Sequence, residues 1–370
     1  MPQNRLGLYI HVPFCAGEKC PYCDFYSLPY EHNMVLAYIS AVKKSLEVWG
    51  KRAEGRKVDT IYFGGGTPSL LKEGLADLLL NIKSRFKVTN DAEITLEANP
   101  SAVLQSVLPA LRGAGFNRIS IGMQSASPAE LKLLGRKHTQ QDTSAAVTAA
   151  RSSGFENISL DLMLATPGQS RESLLQSINF AAELKIEHIS AYLLKIEPET
   201  TFYKISESLL LPNDDEQAEF YLLACDALEN LGYAQYEISN FAKKGFDSRH
   251  NTRYWNCDEY IGIGPSAHSF FEGRRFFYKR ELDSFISEGT VTDDGEGGGI
   301  DEYIMLRLRL TQGLNFGELY RRYGVSYEKF NAEKVERLLK ARYLERDKER
   351  LWLTKKGFVV SNAVISQLLF

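Results

Sequence analysis

Short runs rich in β-branched and aromatic residues alternate with stretches of helical periodicity through the first 240 residues, and nothing else restricts the fold as much. The runs are 6–12 (LGLYIHV), 58–63 (VDTIYF), 93–97 (EITLE), 118–122 (RISIG), 157–163 (NISLDLM) and 188–194 (HISAYLL). In 69–86, Leu71, Leu75, Leu78 and Ile82 recur at helical spacing and make one apolar stripe. Leu104, Leu108 and Leu111 do the same in 101–112. Ser127-Pro128-Ala129-Glu130 reads as an N-cap, a proline at the first helical position and a capping-box glutamate. Asn213 and Glu216 open a helix over 214–231 in the same style. Strand-then-helix units in a row predict a parallel sheet with right-handed crossovers.

A doubly wound sheet and a barrel both satisfy that pattern, and the polar clusters separate them. Cysteines follow the first run, GGGTP (64–68) the second, EANP (97–100) the third, MQS (123–125) the fourth and LATPGQ (164–169) the fifth. A barrel gathers its site from the ends of many strands, whereas a doubly wound sheet concentrates it at one switch point. The expectation is an α/β chain with an incomplete (β/α)6 barrel over 1–240. A connecting region follows at 241–292, in which 246–278 is rich in aromatics, His and Gly without a clear period. The polar, glycine-heavy DDGEGGG (293–299) reads as a linker. Beyond it, helices over 301–311 and 316–342 and a hairpin over 344–354 predict a small winged-helix-like domain at 293–370.

The chain has 370 residues and a net charge of −3, with 44% hydrophobic and 25% charged residues. That balance argues against a nucleic-acid partner, for which a basic face is expected. There is no signal-peptide pattern and no run of the roughly 20 apolar residues that span a bilayer. Five cysteines, odd in number and clustered, do not suit a secreted disulfide framework. A cytoplasmic location is expected, with membrane contact only through a partner.

Three of the cysteines, Cys15, Cys20 and Cys23, fall in one short loop after the first strand. Three thiolates this close can hold an iron–sulfur cluster, or a zinc ion if a fourth ligand is supplied. His11 and Cys257 are candidates for that fourth ligand, while Cys225 sits on the apolar face of a helix and reads as a core thiol. Gly64, Gly65 and Gly66 allow close backbone approach to a ligand, Thr67 adds a hydroxyl, and Glu97 ends a strand with a carboxylate.

With LYIHVPFC…CPYCDFYS, GGGTP, EANP, GMQS and PGQ in order, the chain resembles the radical S-adenosylmethionine (SAM) superfamily, and within it the coproporphyrinogen III oxidase-like HemN/HemW family. The resemblance implies a 4Fe–4S cluster on Cys15, Cys20 and Cys23, with SAM chelating the open iron. It also implies SAM contacts at Tyr9, Gly65, Gly66, Thr67, Glu97, Gln124, Arg136 and Asp161, shared between one or two SAM molecules. Two departures stand out. Four residues separate Cys15 from Cys20 where the family has three, and DLMLATPGQ stands where DLIYGLPGQ is common.

Within that family the resemblance is nearer to the HemW heme chaperone branch than to the oxidase. The oxidase carries a fourth cysteine where Phe25 stands, and His250-Asn251-Thr252-Arg253-Tyr254-Trp255 matches the HNxxYW heme motif of the chaperones. The resemblance implies heme ligation by His250, with Tyr254 and Trp255 stacking on the porphyrin and Arg249 and Arg253 pairing with its propionates. Cys257 is a reserve ligand and His268 is expected to be buried. The implied partners are heme, a heme-accepting respiratory client and a one-electron reductant, for a chain acting as monomer or dimer. The competing reading is oxygen-independent coproporphyrinogen III oxidase.

Overall fold

A computed structural model describes residues 4–330 and 332–369. The six expected runs form the first to sixth strands: Arg5–Val12, Lys57–Gly65, Lys87–Ala98, Arg118–Gln124, Asn157–Leu164 and His188–Leu193. They pair side by side, parallel and in chain order. The α/β, incomplete six-unit barrel is the fold observed. The sheet does not stop there. Tyr260–Ile263 adds a further parallel strand beside the first, and His268–Phe271, Arg274–Tyr278 and Val291–Glu296 continue it antiparallel. At the other edge Asn240–Ala242 and Ala234–Gln235 close against the sixth strand, making a 12-stranded sheet.

From Tyr260 on, the region without a period is therefore largely sheet, and the glycine-heavy linker begins as its last strand. That strand was hidden because a short antiparallel edge strand with one solvated face carries little apolar signal.

Each barrel strand is buried on both faces, but the faces differ. Ile94, Leu96, Ile119, Ile121, Ile158, Leu160 and Ile189 are buried toward the helices. The alternate positions, Glu93, Thr95, Arg118, Ser120, Ser159, His188 and Ser190, are polar and equally buried. Since alternate side chains point to opposite faces, the second set lines the axis. A polar axis cannot be filled like an ordinary core and leaves room for a ligand.

The helices start and stop as the caps dictate. Asn213 and Glu216 form a reciprocal capping box, and Ser127 caps Pro128–Leu133 by accepting from the Glu130 amide. The Glu130 side chain does not return to that cap. It turns inward, accepting from Ser125 Oγ at 2.8 Å and Gln169 Nε2 at 3.0 Å. The expected helix over 316–342 is two, Phe316–Tyr323 and Ala332–Lys340, because Gly324 takes a left-handed conformation (φ 66°) and ends the first. Ile300–Arg307, these two helices and the sheet of Leu314–Asn315, Leu344–Arg346 and Arg350–Leu353 form the C-terminal winged-helix-like domain. Among the described residues no helix is long and apolar enough to cross a membrane.

Candidate functional site

A cavity of about 600 Å³ runs from the cysteine loop down the barrel axis. Its mouth is the loop after the first strand, with Cys15, Cys20, Cys23 and Phe25 on the rim. Gly65, Gly66, Thr67, Glu97, Gln124, Arg136 and Asp161 line its wall, so seven of the eight SAM candidates meet on one surface. Tyr9 does not line it. Its hydroxyl bonds His11 Nδ1 at 2.9 Å, behind the wall.

The cysteine loop is held at its base and free at its tip. Leu28 N donates to Pro13 O and Tyr30 N to Cys15 O, tying the two ends together. Pro21 anchors the far side, accepting from Phe202 N at 2.9 Å and lying where a Cβ on Gly135 (φ 65°) would come within 2.7 Å of it. The three sulfurs are free thiols and half-exposed. Ala16, Glu18 and Lys19 are exposed, so the extra residue between Cys15 and Cys20 is carried in solvent.

Among the described residues no three His, Cys, Asp or Glu side chains converge on a single metal-ion point. A zinc ion needs four ligands within about 2.3 Å of one centre, whereas each cysteine of a 4Fe–4S cluster binds its own iron and the sulfurs stand well apart. Three thiols spread around a cavity rim fit the cluster. Both candidate fourth ligands are corrected by the structure. His11 is buried and its Nε2 lies 2.9 Å from the Tyr26 carbonyl, which can only accept, so Nδ1 must accept from Tyr9 and neither nitrogen is free. Burial lowers its pKa to about 4. Cys257 is buried, its thiol pushed up to about 12 by burial. Cys225 is a core thiol, as expected.

Below the rim a polar layer is pre-set by its own hydrogen bonds. Glu97 accepts from Tyr62 Oη at 2.7 Å and from Gly65 N at 3.0 Å. Burial, with Asp161 nearby, pushes the Glu97 carboxyl up to about 7. Gly65 needs its freedom, since its φ is 113° and a Cβ would strike the His11 ring at 2.7 Å. A Cβ on Gly66 would meet Phe14 O at 2.5 Å. Asn99 bridges the layer, giving Nδ2 to Thr67 Oγ1 at 2.9 Å and accepting from Arg136 Nη2 at 2.6 Å. Arg136 also reaches Gly122 O at 2.6 Å and Cys20 Sγ at 3.6 Å, so it is part of the site and not a solvated helix end. Asp161 accepts from Ser120 Oγ at 2.9 Å, and burial raises its pKa. Carboxylates beside buried cations give complementary places for the ammonium, sulfonium and hydroxyl groups of a nucleoside amino acid.

The opposite end of the barrel is closed by a short helix, Arg249–Trp255, that carries the His250 motif. The residues that the resemblance implies for heme are largely enclosed here. His250 is 1% exposed, its Nδ1 bonded to Thr60 Oγ1 at 2.9 Å and its Nε2 to Tyr254 Oη at 2.7 Å. Its ring stacks on Tyr62 with centroids 5.1 Å apart. The helix amides of Arg249 and His250 donate to the Glu93 carboxylate, a charge-assisted N-terminal cap. Arg253 is buried in an ion pair with Asp59, and Arg249 lies against Asp91 and Asp59. The Arg253 guanidinium is thus closed to a propionate, whereas the Arg249 side chain is 39% exposed. Trp255 is half-buried beneath Arg309, and only Asn251 of the motif borders the cavity. His268 is exposed at the start of its strand, stacked on Phe277, and not buried.

Tyr62, Arg118, Ser120 and Ser190 belong to the cavity and were missed in the sequence, and Asn99 and Asn251, which also line it, stood only as letters of EANP and the His250 motif. A signal existed. Polar residues alternate through strands that a fully covered parallel sheet would fill with apolar ones.

Comparison with known proteins places these observations. The radical SAM superfamily model matches residues 9–181, and the HemN C-terminal domain model matches 300–360. The heme chaperone HemW of Mycobacterium tuberculosis is 35% identical over 383 residues, covering 100% of this chain and 96% of the relative. That of Bacillus subtilis is 35% identical over 376 residues, covering 98% of each. Among solved structures, the Escherichia coli coproporphyrinogen III oxidase HemN superposes with a TM-score of 0.85 at 22% identity, covering 100% of this chain and 91% of that one. At that identity the likeness speaks for the fold alone. The chain belongs to the HemN/HemW family of the radical SAM superfamily, whose cofactors are a 4Fe–4S cluster and SAM.

Proposed function

We propose that this protein is a heme chaperone that takes up heme and delivers it to a heme-requiring respiratory protein in the cytoplasm. The observation that carries the reading is full-length similarity to proteins described as heme chaperones. Phe25 sharpens it: it lies 61% exposed on the cavity rim, at the place where the oxidase branch has a further thiol.

In this reading Cys15, Cys20 and Cys23 hold the cluster, which supplies a single electron for reductive cleavage of SAM when a one-electron donor is present. Glu97, held by Tyr62 and Gly65, orients the SAM ammonium or ribose. Thr67, Asn99 and Arg136 fix the neighbouring wall, and Gln124 and Asp161 complete it. His250 serves as the heme ligand. Its burial means that the helix 249–255 must leave the barrel first, and that opening lowers the apparent heme affinity by the fraction of molecules that are open.

The test is an anaerobic titration of heme into the reconstituted protein and its His250→Ala variant, read by the Soret band. A saturable shift that weakens in the variant is expected, with no turnover of coproporphyrinogen III in a parallel assay. Absence of a Soret shift in the wild type overturns the chaperone reading. Turnover of the porphyrinogen moves the protein to the oxidase.

A further inference from the structure

One inward row of the barrel is left unfinished by the protein itself. Thr95, Arg118 and Asn157 are register partners on the third, fourth and fifth strands. Thr95 Oγ1, Arg118 Nε and Nη1, and Asn157 Oδ1 are all enclosed with no hydrogen-bond partner among the described residues. Arg118 is 1% exposed and borders the cavity below the Glu97 layer, beside Ser120 and Asn251. A guanidinium has five donors and stays charged, so leaving it unpaired inside a fold is costly unless something completes it.

The protein's own carboxylates do not complete it. Glu93 is engaged by the two amides of the plug helix, and Asp161 by Ser120. Burial works against the charge on Arg118, yet Glu93, Tyr62, Tyr236 and Asp161 around it leave it more firmly protonated than usual. The group is thus a fixed cation facing a polar cavity, with a hydroxyl beside it.

We propose that Arg118 anchors a carboxylate subsite in the depth of the barrel, where the guanidinium fork takes a ligand carboxylate with the Thr95 hydroxyl in support. The subsite lies beyond the SAM layer and is independent of whether the protein carries heme. Two ligands bring this chemistry: the amino-acid end of a SAM molecule bound deep in the barrel, and a propionate arm of a tetrapyrrole.

The experiment is calorimetric titration of the anaerobically reconstituted full-length protein, with Arg118→Met and Arg118→Lys as variants. The probes are SAM, iron-free mesoporphyrin (which cannot use His250 as an axial ligand) and 5′-deoxyadenosine, a nucleoside without a carboxylate. A roughly ten- to hundredfold loss in Arg118→Met for a carboxylate probe is expected, with a smaller loss in Arg118→Lys and none for 5′-deoxyadenosine. Loss confined to SAM assigns the amino-acid carboxylate, and loss confined to mesoporphyrin assigns the propionate. The melting temperature does not decide, since Arg118→Met also takes a cation from beside buried Glu93 and Asp161. Unchanged affinities for both carboxylate probes in both variants, whatever their melting temperatures, overturn the proposal and leave Arg118 structural.

Discussion

The two ends of the barrel are opposites. At the mouth, three thiols stand half-exposed on a loop whose tip faces solvent, and Phe25 lies 61% exposed beside them. At the floor, His250 is 1% exposed with both ring nitrogens bonded, and Arg253 is buried against Asp59. The mouth is ready for a ligand as it stands. The floor is satisfied, and anything that uses His250 must first break what holds it. Tyr62 joins the two, stacking on His250 while donating to Glu97. A change at the floor should therefore be felt at Glu97, and by linkage the reverse.

The comparison breaks most visibly at the mouth. Cys20→Ala should leave the fold intact while removing the cluster, so iron after reconstitution falls from about four atoms per chain to near zero. Retention of a full cluster would contradict the assignment of the rim. At the floor, Arg253→Met leaves Asp59 buried with only Arg5, at 3.2 Å, and the more distant Arg249 to offset it. Breaking a buried pair costs about 3–5 kcal/mol, and these neighbours place the loss near the lower figure. Urea unfolding measures it. A change below about 0.5 kcal/mol would mean that the helix 249–255 is not a sealed plug.

The link between the ends is probed more gently. Tyr62→Phe keeps the ring on His250 but removes the 2.7 Å bond to Glu97. It should weaken SAM about tenfold in equilibrium binding, at a stability cost near 1 kcal/mol. Unchanged SAM affinity would uncouple the layers. The smallest effect expected is with pH. Glu97 has its carboxyl raised from 4.5 to about 7, so its contribution to stability is complete below pH 4.5 and is lost as pH rises through about 7. Cationic SAM prefers the ionised form, so its affinity should climb as pH passes from about 6 to 8 and then level off. Glu97→Gln should bind more weakly and without that rise.

The mouth was legible in the sequence and the floor was not. The cysteines, GGGTP and Glu97 lie at or just past strand ends, where chain order alone brings them to one rim, and Asp161 faces the axis from within its strand. Arg136 entered only through the resemblance, and only the fold reveals its bonds to Asn99 and Gly122. The His250 motif has the composition of a ligand loop, and no local rule says that Glu93, 157 residues away in sequence, caps it as a helix. Arg118 was hidden for the same reason: RISIG reads as a strand, and only the closing of the sheet turns its arginine toward the axis.

The most direct test of a mouth that binds and a floor that must open is hydrogen exchange on the helix 249–255, with and without saturating heme. The amides of Arg249 and His250, now bonded to Glu93, should exchange slowly in the heme-free protein and markedly faster once heme is bound, while the strands of the SAM layer stay protected. Heme binding with undiminished protection of these amides would contradict the account, because His250 would then still be sealed and heme held elsewhere.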